Sequence, residues 1–419
     1  MLLSLKMNNC LIYNSEVEFS MRADRHYKRF PENVASINGV HALKSAILLG
    51  PNNTGKTKFV EIIAMLKDIL LGARRRLIGN LFYDNPIIEI SVSFLENGEE
   101  YLFGIKYNDT DEEYIYERFA EIHRDKYGNM KIKDIYYRDL ISKKYYSLDE
   151  GLDLAMENAP RDLILIHGIF AKKYPFLMKA KESIVSFASR IDIVDVDNIM
   201  KTVDMMRSGK EMQQKIANFI LNADLCLDDY RLLNDDELSE MLGKYGIKDL
   251  PLQNIDSSKG LDMLRLASVY KGVMFPSYLY DSKGTKKMAT LSSYVIDALE
   301  NGRIIIVDEL DSGLHFRLTR AIIAMFNNEF NYNAQMIATV HDISLLDCKK
   351  LFRKEQIWFT YKDSEDVYLY SLADFTAGKN GVRDTSDLIE KYRKGVFGAV
   401  PEPELFRSLL EVHKNVKAS

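Results

Sequence analysis

Asp308 and Glu309 follow four apolar residues, Ile304 to Val307, so two adjacent carboxylates end a segment that reads as a buried strand. Far upstream, "GPNNTGKT", Gly50 to Thr57, follows the apolar run "SAILL" and precedes "KFVEIIAMLKDILL". This is the GxxxxGK[ST] spacing, in which inward-facing backbone N–H groups, a helix N-terminus, a lysine and a hydroxyl hold a polyphosphate and its metal. Gly50, Asn52, Asn53, Thr54, Gly55, Lys56, Thr57 and Lys58 are the candidate phosphate-binding residues. Asn53 stands where glycine is commoner, but asparagine tolerates positive φ and can keep the loop's shape. Thr57 and Asp308 together suit Mg2+, and Glu309 is placed to take a proton from an attacking water or to orient it.

Two further segments bear on the same chemistry. His341 follows the apolar strand of "ATVHD", where it could bond the terminal phosphate or the water; a lone histidine is otherwise a structural residue. "YDSKGTKK", Tyr280 to Lys287, opens a helix, so Ser282, Gly284 and the helix N-terminus offer a second phosphate-binding surface, or Ser282 is an ordinary N-cap. Asp311 suits either a loop beside the site or the start of the next helix.

The elements that must position these residues can be read from periodicity. "LLSLKM", "SEVEFSM" and "KSAILLG" read as strands, and Phe59, Ile62, Ile63, Leu66, Ile69 and Leu70 recur at helical spacing. The arginine run Arg74 to Arg76 ends that helix as a solvated cationic terminus or contacts nucleic acid. "IIEISVSFLENGEEYLFGIKYN" turns at Asn97-Gly98, and the next pair of strands turns around Tyr127-Gly128-Asn129, an antiparallel meander. From 152 to about 250 the pattern becomes helical, and helical character continues through "LDMLRLASVYKG" and residues 286 to 300. Strands alternating with helices around the phosphate loop indicate one mainly parallel sheet, interrupted by the helical stretch.

Bulk properties narrow the class. The 419 residues are 47% hydrophobic and 28% charged, with net charge -5, a folded composition that excludes a surface coated in basic residues. Cys10, Cys226 and Cys348 match no zinc or redox spacing, and the seven histidines form no paired ligand pattern. The absence of a long apolar run or a signal-like N-terminus leads us to expect a cytoplasmic protein without membrane contact.

The phosphate loop, "DSKGTKK", "IIIVDELDSGLH" and "ATVHD" stand in the order of an ABC-type ATPase, and the whole resembles the SMC/RecF branch. More narrowly, "MLLSLKMNN", "SEVEFSM", "DALENGRIIIVDELDSGLH" and "YRKGVFGAVP" resemble bacterial abortive-infection and anti-phage ATPases related to the OLD and RloA groups. Gly313 and Phe316 stand where that pattern usually has serine and proline. The resemblance implies an α/β fold, an ABC-type P-loop ATPase head with a mixed β-sheet lobe and a helical insertion. Residues 1–151 would form the first part of the head, 152–275 the mainly helical insertion and 276–419 the second part. It implies ATP and Mg2+ as cofactors, catalytic roles for Lys56, Glu309 and His341, and a head-to-head homodimer or higher oligomer. In that dimer Ser282 and Gly284 of one subunit meet ATP held by the other. About eighty residues follow His341, with no acid cluster suited to a two-metal nuclease, so a separate nuclease or toxin effector is implied. The alternative is a RecF/SMC-like repair or recombination ATPase acting directly on DNA.

Overall fold

The computed structural model describes all residues except 81, 125–129, 149–151, 224, 247–256, 348–350, 364–365, 384–385, 399 and 401–419. Its central sheet is built from β1 (Ser45–Leu49), β2 (Ile191–Val194), β3 (Ile304–Val307), β4 (Gln335–Val340), β5 (Ile357–Lys362) and β6 (Val367–Ser371). The strand order is β2-β3-β4-β1-β5-β6. Every neighbouring pair is parallel except the antiparallel β5–β6 hairpin. The segments before and after the long middle stretch thus form one mainly parallel sheet, as the alternation of elements implies.

"SAILL" and "IIIV" lack polar alternation because both faces of this sheet are covered. The covering helices are α1 (Lys56–Leu70), α2 (Pro175–Ser189), α5 (Lys283–Asn301) and α6 (Phe316–Phe326), while α3 (Met200–Arg207) and α4 (Lys210–Leu221) lie outside them on α5. Ile304 and Ile306 share a core with Phe59, Ile62 and Leu66 of α1. Ile305 and Val307 face the other way, into a core with Leu291 and Val295 of α5 and Ile323 and Phe326 of α6.

A second, seven-stranded sheet covers the far side of α1. It comprises Leu2–Asn8, Val17–Ser20 and the meander running from Ile87–Glu96 to Lys144–Ser147. Ile88, Ile90 and Phe94 alternate onto the core that holds Ile63 and Leu66 of α1. Its first turn is the expected one: Asn97 and Gly98 have φ of 52° and 83°, as a two-residue type I′ hairpin requires. The second expected turn, at Tyr127-Gly128-Asn129, lies outside the described residues, as does Cys348. The arginines after α1 are engaged by acids: Arg74 with Asp162, Arg75 with Asp68, and Arg76 with Asp109 and Glu112.

The stretch 152–275, expected to be mainly helical, holds helices together with a few short strands. Its α2 packs on α1 and its β2 extends the central sheet, while α3 and α4 pack against α5. Three short strands, Asp229–Leu232, Leu266–Tyr270 and Val273–Pro276, form a small antiparallel sheet. "LASVY" is therefore a strand rather than helix, turned by Lys271 and Gly272 at φ of 50° and 76°. Such strands are too short for a period of two to stand out beside flanking helices. Among the described residues no helix is long and apolar enough to cross a membrane.

Candidate functional site

Because β3, β4 and β1 are parallel, the residues following them emerge at one edge of the sheet. The register aligns Val307 with Ala338 and Ala338 with Ile47, so Asp308 and Thr339 come level, and His341 follows β4 as Gly50 follows β1. The order β3-β4-β1 puts Thr339 and His341 between the two acids and the phosphate loop.

The loop is shaped by its backing strand. A Cβ on Gly50 would lie 2.3 Å from the Thr360 hydroxyl of β5, so only glycine fits there. Thr54 donates its hydroxyl to the Pro51 carbonyl at 2.7 Å and lies 2.7 Å from the Thr360 hydroxyl. Asn53 adopts φ of 62°, the left-handed conformation expected of it. Gly55, at φ 102°, precedes α1, and its carbonyl accepts from the Tyr13 hydroxyl at 3.0 Å. Lys56 is buried, and its ammonium donates to the Gly50 and Pro51 carbonyls at 2.7 and 2.8 Å. Burial lowers its pKa from the ordinary lysine value, opposed by Asp308, Glu309 and Asp311, so the two distant segments share one electrostatic neighbourhood. Asn52, Asn53 and Thr57 are exposed, and Lys58 pairs along the helix with Glu61.

The acids are held by residues that carry no motif. Thr339 is fully buried; its hydroxyl donates to Asp308 at 2.5 Å and accepts from the Glu309 N–H at 2.7 Å. Glu309 has φ of 50°, a conformation glutamate adopts only under constraint. Its carbonyl accepts from the Lys287 ammonium at 2.6 Å, and the same ammonium reaches the Ser312 carbonyl at 2.9 Å. Asp311 does not start the next helix, which is N-capped by His315. Its carboxylate accepts from the main-chain N–H groups of His341 at 2.7 Å and Asp342 at 2.6 Å. The backbone at His341 is thereby fixed while its side chain remains exposed.

Sequence signals for these supports exist. Thr339 is a hydroxyl among the apolar residues Met336 to Val340, and Lys287 lies four residues before Leu291 on the buried stripe of α5. Buried polar groups of this kind require partners.

Ser282 caps α5, its side chain accepting from the Thr285 N–H at 3.1 Å. Asp281 before it accepts from the hydroxyls of Ser268, Ser277 and Tyr270, which anchor the helix start. A Cβ on Gly284 would lie 2.7 Å from the Gly313 carbonyl, so α5 abuts the 309–313 loop. Among the described residues no hydrogen bond or ion pair joins Ser282 or Gly284 to residues 50–58, and Gly284 lies against the 309–313 loop.

Residues 176–347 match the family described as "AAA domain, putative AbiEii toxin, Type IV TA system". The match spans Lys287, Asp308, Glu309, Thr339 and His341, and begins after the phosphate loop. No curated protein matches the chain. Among solved structures, the SMC head bound to the C-winged helix domain of ScpA is similar at 11% identity and a TM-score of 0.43, covering 88% of this chain and 97% of that one. The SMC head domain from Thermotoga maritima is similar at 11% identity and a TM-score of 0.39, covering 88% and 98%. Over residues 176–347 the chain is thus similar to an AAA domain.

Proposed function

We propose that this chain is an ABC-type ATPase subunit of a bacterial anti-phage defence system, in which two copies close head-to-head over ATP and control a separate nuclease or toxin in the cytoplasm. The observation that carries the enzymatic part is the common sheet edge, where Thr339 ties Asp308 and Glu309 together beside the strand that leads to Lys56. The backbone N–H groups at the start of α1 and the Lys56 ammonium would bind the phosphates. An exposed hydroxyl, Thr57, and a carboxylate, Asp308, are the hard oxygen donors that a nucleotide-borne Mg2+ takes. Among the described residues no group of three or more His, Cys, Asp or Glu clusters for a metal, and an ion held mainly by phosphates and water needs none. Mg2+ would supply charge neutralisation on the phosphates. Glu309 would orient the attacking water, and His341 would contact the terminal phosphate. Ser282 and Gly284 would close on ATP held by the second copy. The defence role is supported by the AbiEii and toxin–antitoxin description of the matching family.

Replacing Glu309 by Gln tests the reading. Turnover should fall by about a hundredfold or more, as for loss of a general base. ATP binding should persist, and a dimer should accumulate in size-exclusion chromatography with ATP. Turnover equal to wild type would remove Glu309 from the chemistry. If salt-sensitive DNA binding stimulated turnover, a direct role on DNA would replace effector control.

A further inference from the structure

We propose that Lys287 is the positioning residue for Glu309, a clamp from α5 that sets the direction of the carboxylate without touching the nucleotide; this rests on the ATPase reading above. The segment after β3 turns at once, the Ser312 N–H bonding the Glu309 carbonyl at 3.0 Å. The Lys287 ammonium bonds the carbonyls at both ends of this turn, Glu309 and Ser312. β4 and the residues just after it hold the segment through four hydrogen bonds: Thr339 accepts from the N–H of Glu309 with its hydroxyl and from the N–H of Leu310 with its carbonyl, and the Asp311 carboxylate accepts from the N–H groups of His341 and Asp342. Glu309 is thus fixed at both its N–H and its carbonyl while in a left-handed conformation, and its side chain is left exposed. With the backbone so determined, the Cα–Cβ direction is determined as well.

The chemistry of the clamp is specific. Lys287 is only 7% exposed, and its two bonds go to neutral main-chain carbonyls rather than to a carboxylate. Burial lowers its pKa from the ordinary lysine value, opposed by Asp311, Glu309, Asp197 and Asp308. A buried cation held by carbonyls costs desolvation that an apolar side chain would avoid, so its bonds define a geometry more than they add stability. The first turns of α5 also carry Gly284, which abuts Gly313, so the helix meets both ends of the same loop.

The test compares Lys287→Met, which keeps the stem and removes the donors, with Lys287→Arg and Glu309→Gln. In Lys287→Met, kcat should fall by about tenfold to a hundredfold, the scale of a misplaced catalytic group, while the Kd for a fluorescent ATP analogue stays within about twofold. Lys287→Arg, which can still donate to two carbonyls, should recover part of kcat. In the Glu309→Gln background, Lys287→Met should lower turnover by no more than about twofold further, because the two act as one unit. Wild-type kcat in Lys287→Met, or an equal fractional loss with and without Glu309, would overturn the proposal. Should Lys287→Met fail to fold, Lys287→Gln, shorter and uncharged and so unable to bond both carbonyls, decides: reduced kcat at unchanged ATP affinity supports the clamp, and wild-type kcat overturns it. An inactive wild-type protein would instead refute the ATPase reading itself.

Discussion

Thr339 places one hydroxyl between two neighbours, donating to the Asp308 carboxylate and accepting from the Glu309 N–H. Thr339→Val preserves the side-chain shape and leaves both without that partner. It should cost about 1–3 kcal/mol in chemical denaturation, the range for orphaned buried polar groups, and Thr339→Ser should restore most of it. Turnover should follow the same order. Residues of this kind explain the limit of the sequence reading at this scale. Gly50, Asn53, Lys56, Asp308 and Glu309 could be singled out because each belongs to a short local spelling with a mechanical meaning. Thr339 and Lys287 act on residues brought close only by strand pairing and helix packing, and nothing adjacent to them in the chain announces their partners.

At the scale of elements, α1 joins the phosphate loop to the segment that follows the meander. Its Leu70 carbonyl lies 2.9 Å from His167 Nε2, so Nε2 carries the proton and donates. Gly72 permits the approach, since a Cβ there would lie 2.9 Å from His167 Nδ1. Burial lowers the His167 pKa, and Lys181 adds to the effect against the Leu70 bond. With the folded value below the unfolded one, the unfolded chain takes up the proton first as pH falls. Stability from this group is therefore complete above the ordinary imidazole value of about 6.5 and is lost on acidification below it. Urea melts at a neutral and a mildly acidic pH should show a larger loss for wild type than for His167→Gln. The boundaries of α1 and the phosphate-loop strand were legible because their apolar periods are long and uniform. The Leu266–Pro276 hairpin was not, because its turn is Lys-Gly and its strands span five and four residues.

For the whole molecule, the proposed pair of composite sites makes a quantitative expectation. Lys56→Ala disables the loop side of a site, and Ser282→Arg disables the facing side, so each variant alone should be inactive. A mixed dimer keeps one intact site, and random pairing of equal amounts should restore roughly a quarter of wild-type turnover. Activity that stays near zero on mixing would argue for sites completed within one chain. The parallel sheet itself was legible from alternating strands and helices. The joining of β2 to its edge was not, since "IDIV" sits within a helical context and its partner is β3, far along the chain. The same topology shapes how the protein comes to exist. β1 is wholly buried, yet its two neighbours, β4 and β5, both belong to the last part of the chain. At ribosomal speeds of ~5–20 residues per second, this apolar strand waits roughly 15–60 s before either neighbour has been synthesised. The strand that leads to Lys56 is therefore among the earliest made and the latest to be enclosed, and the nascent chain must be shielded from aggregation throughout that interval.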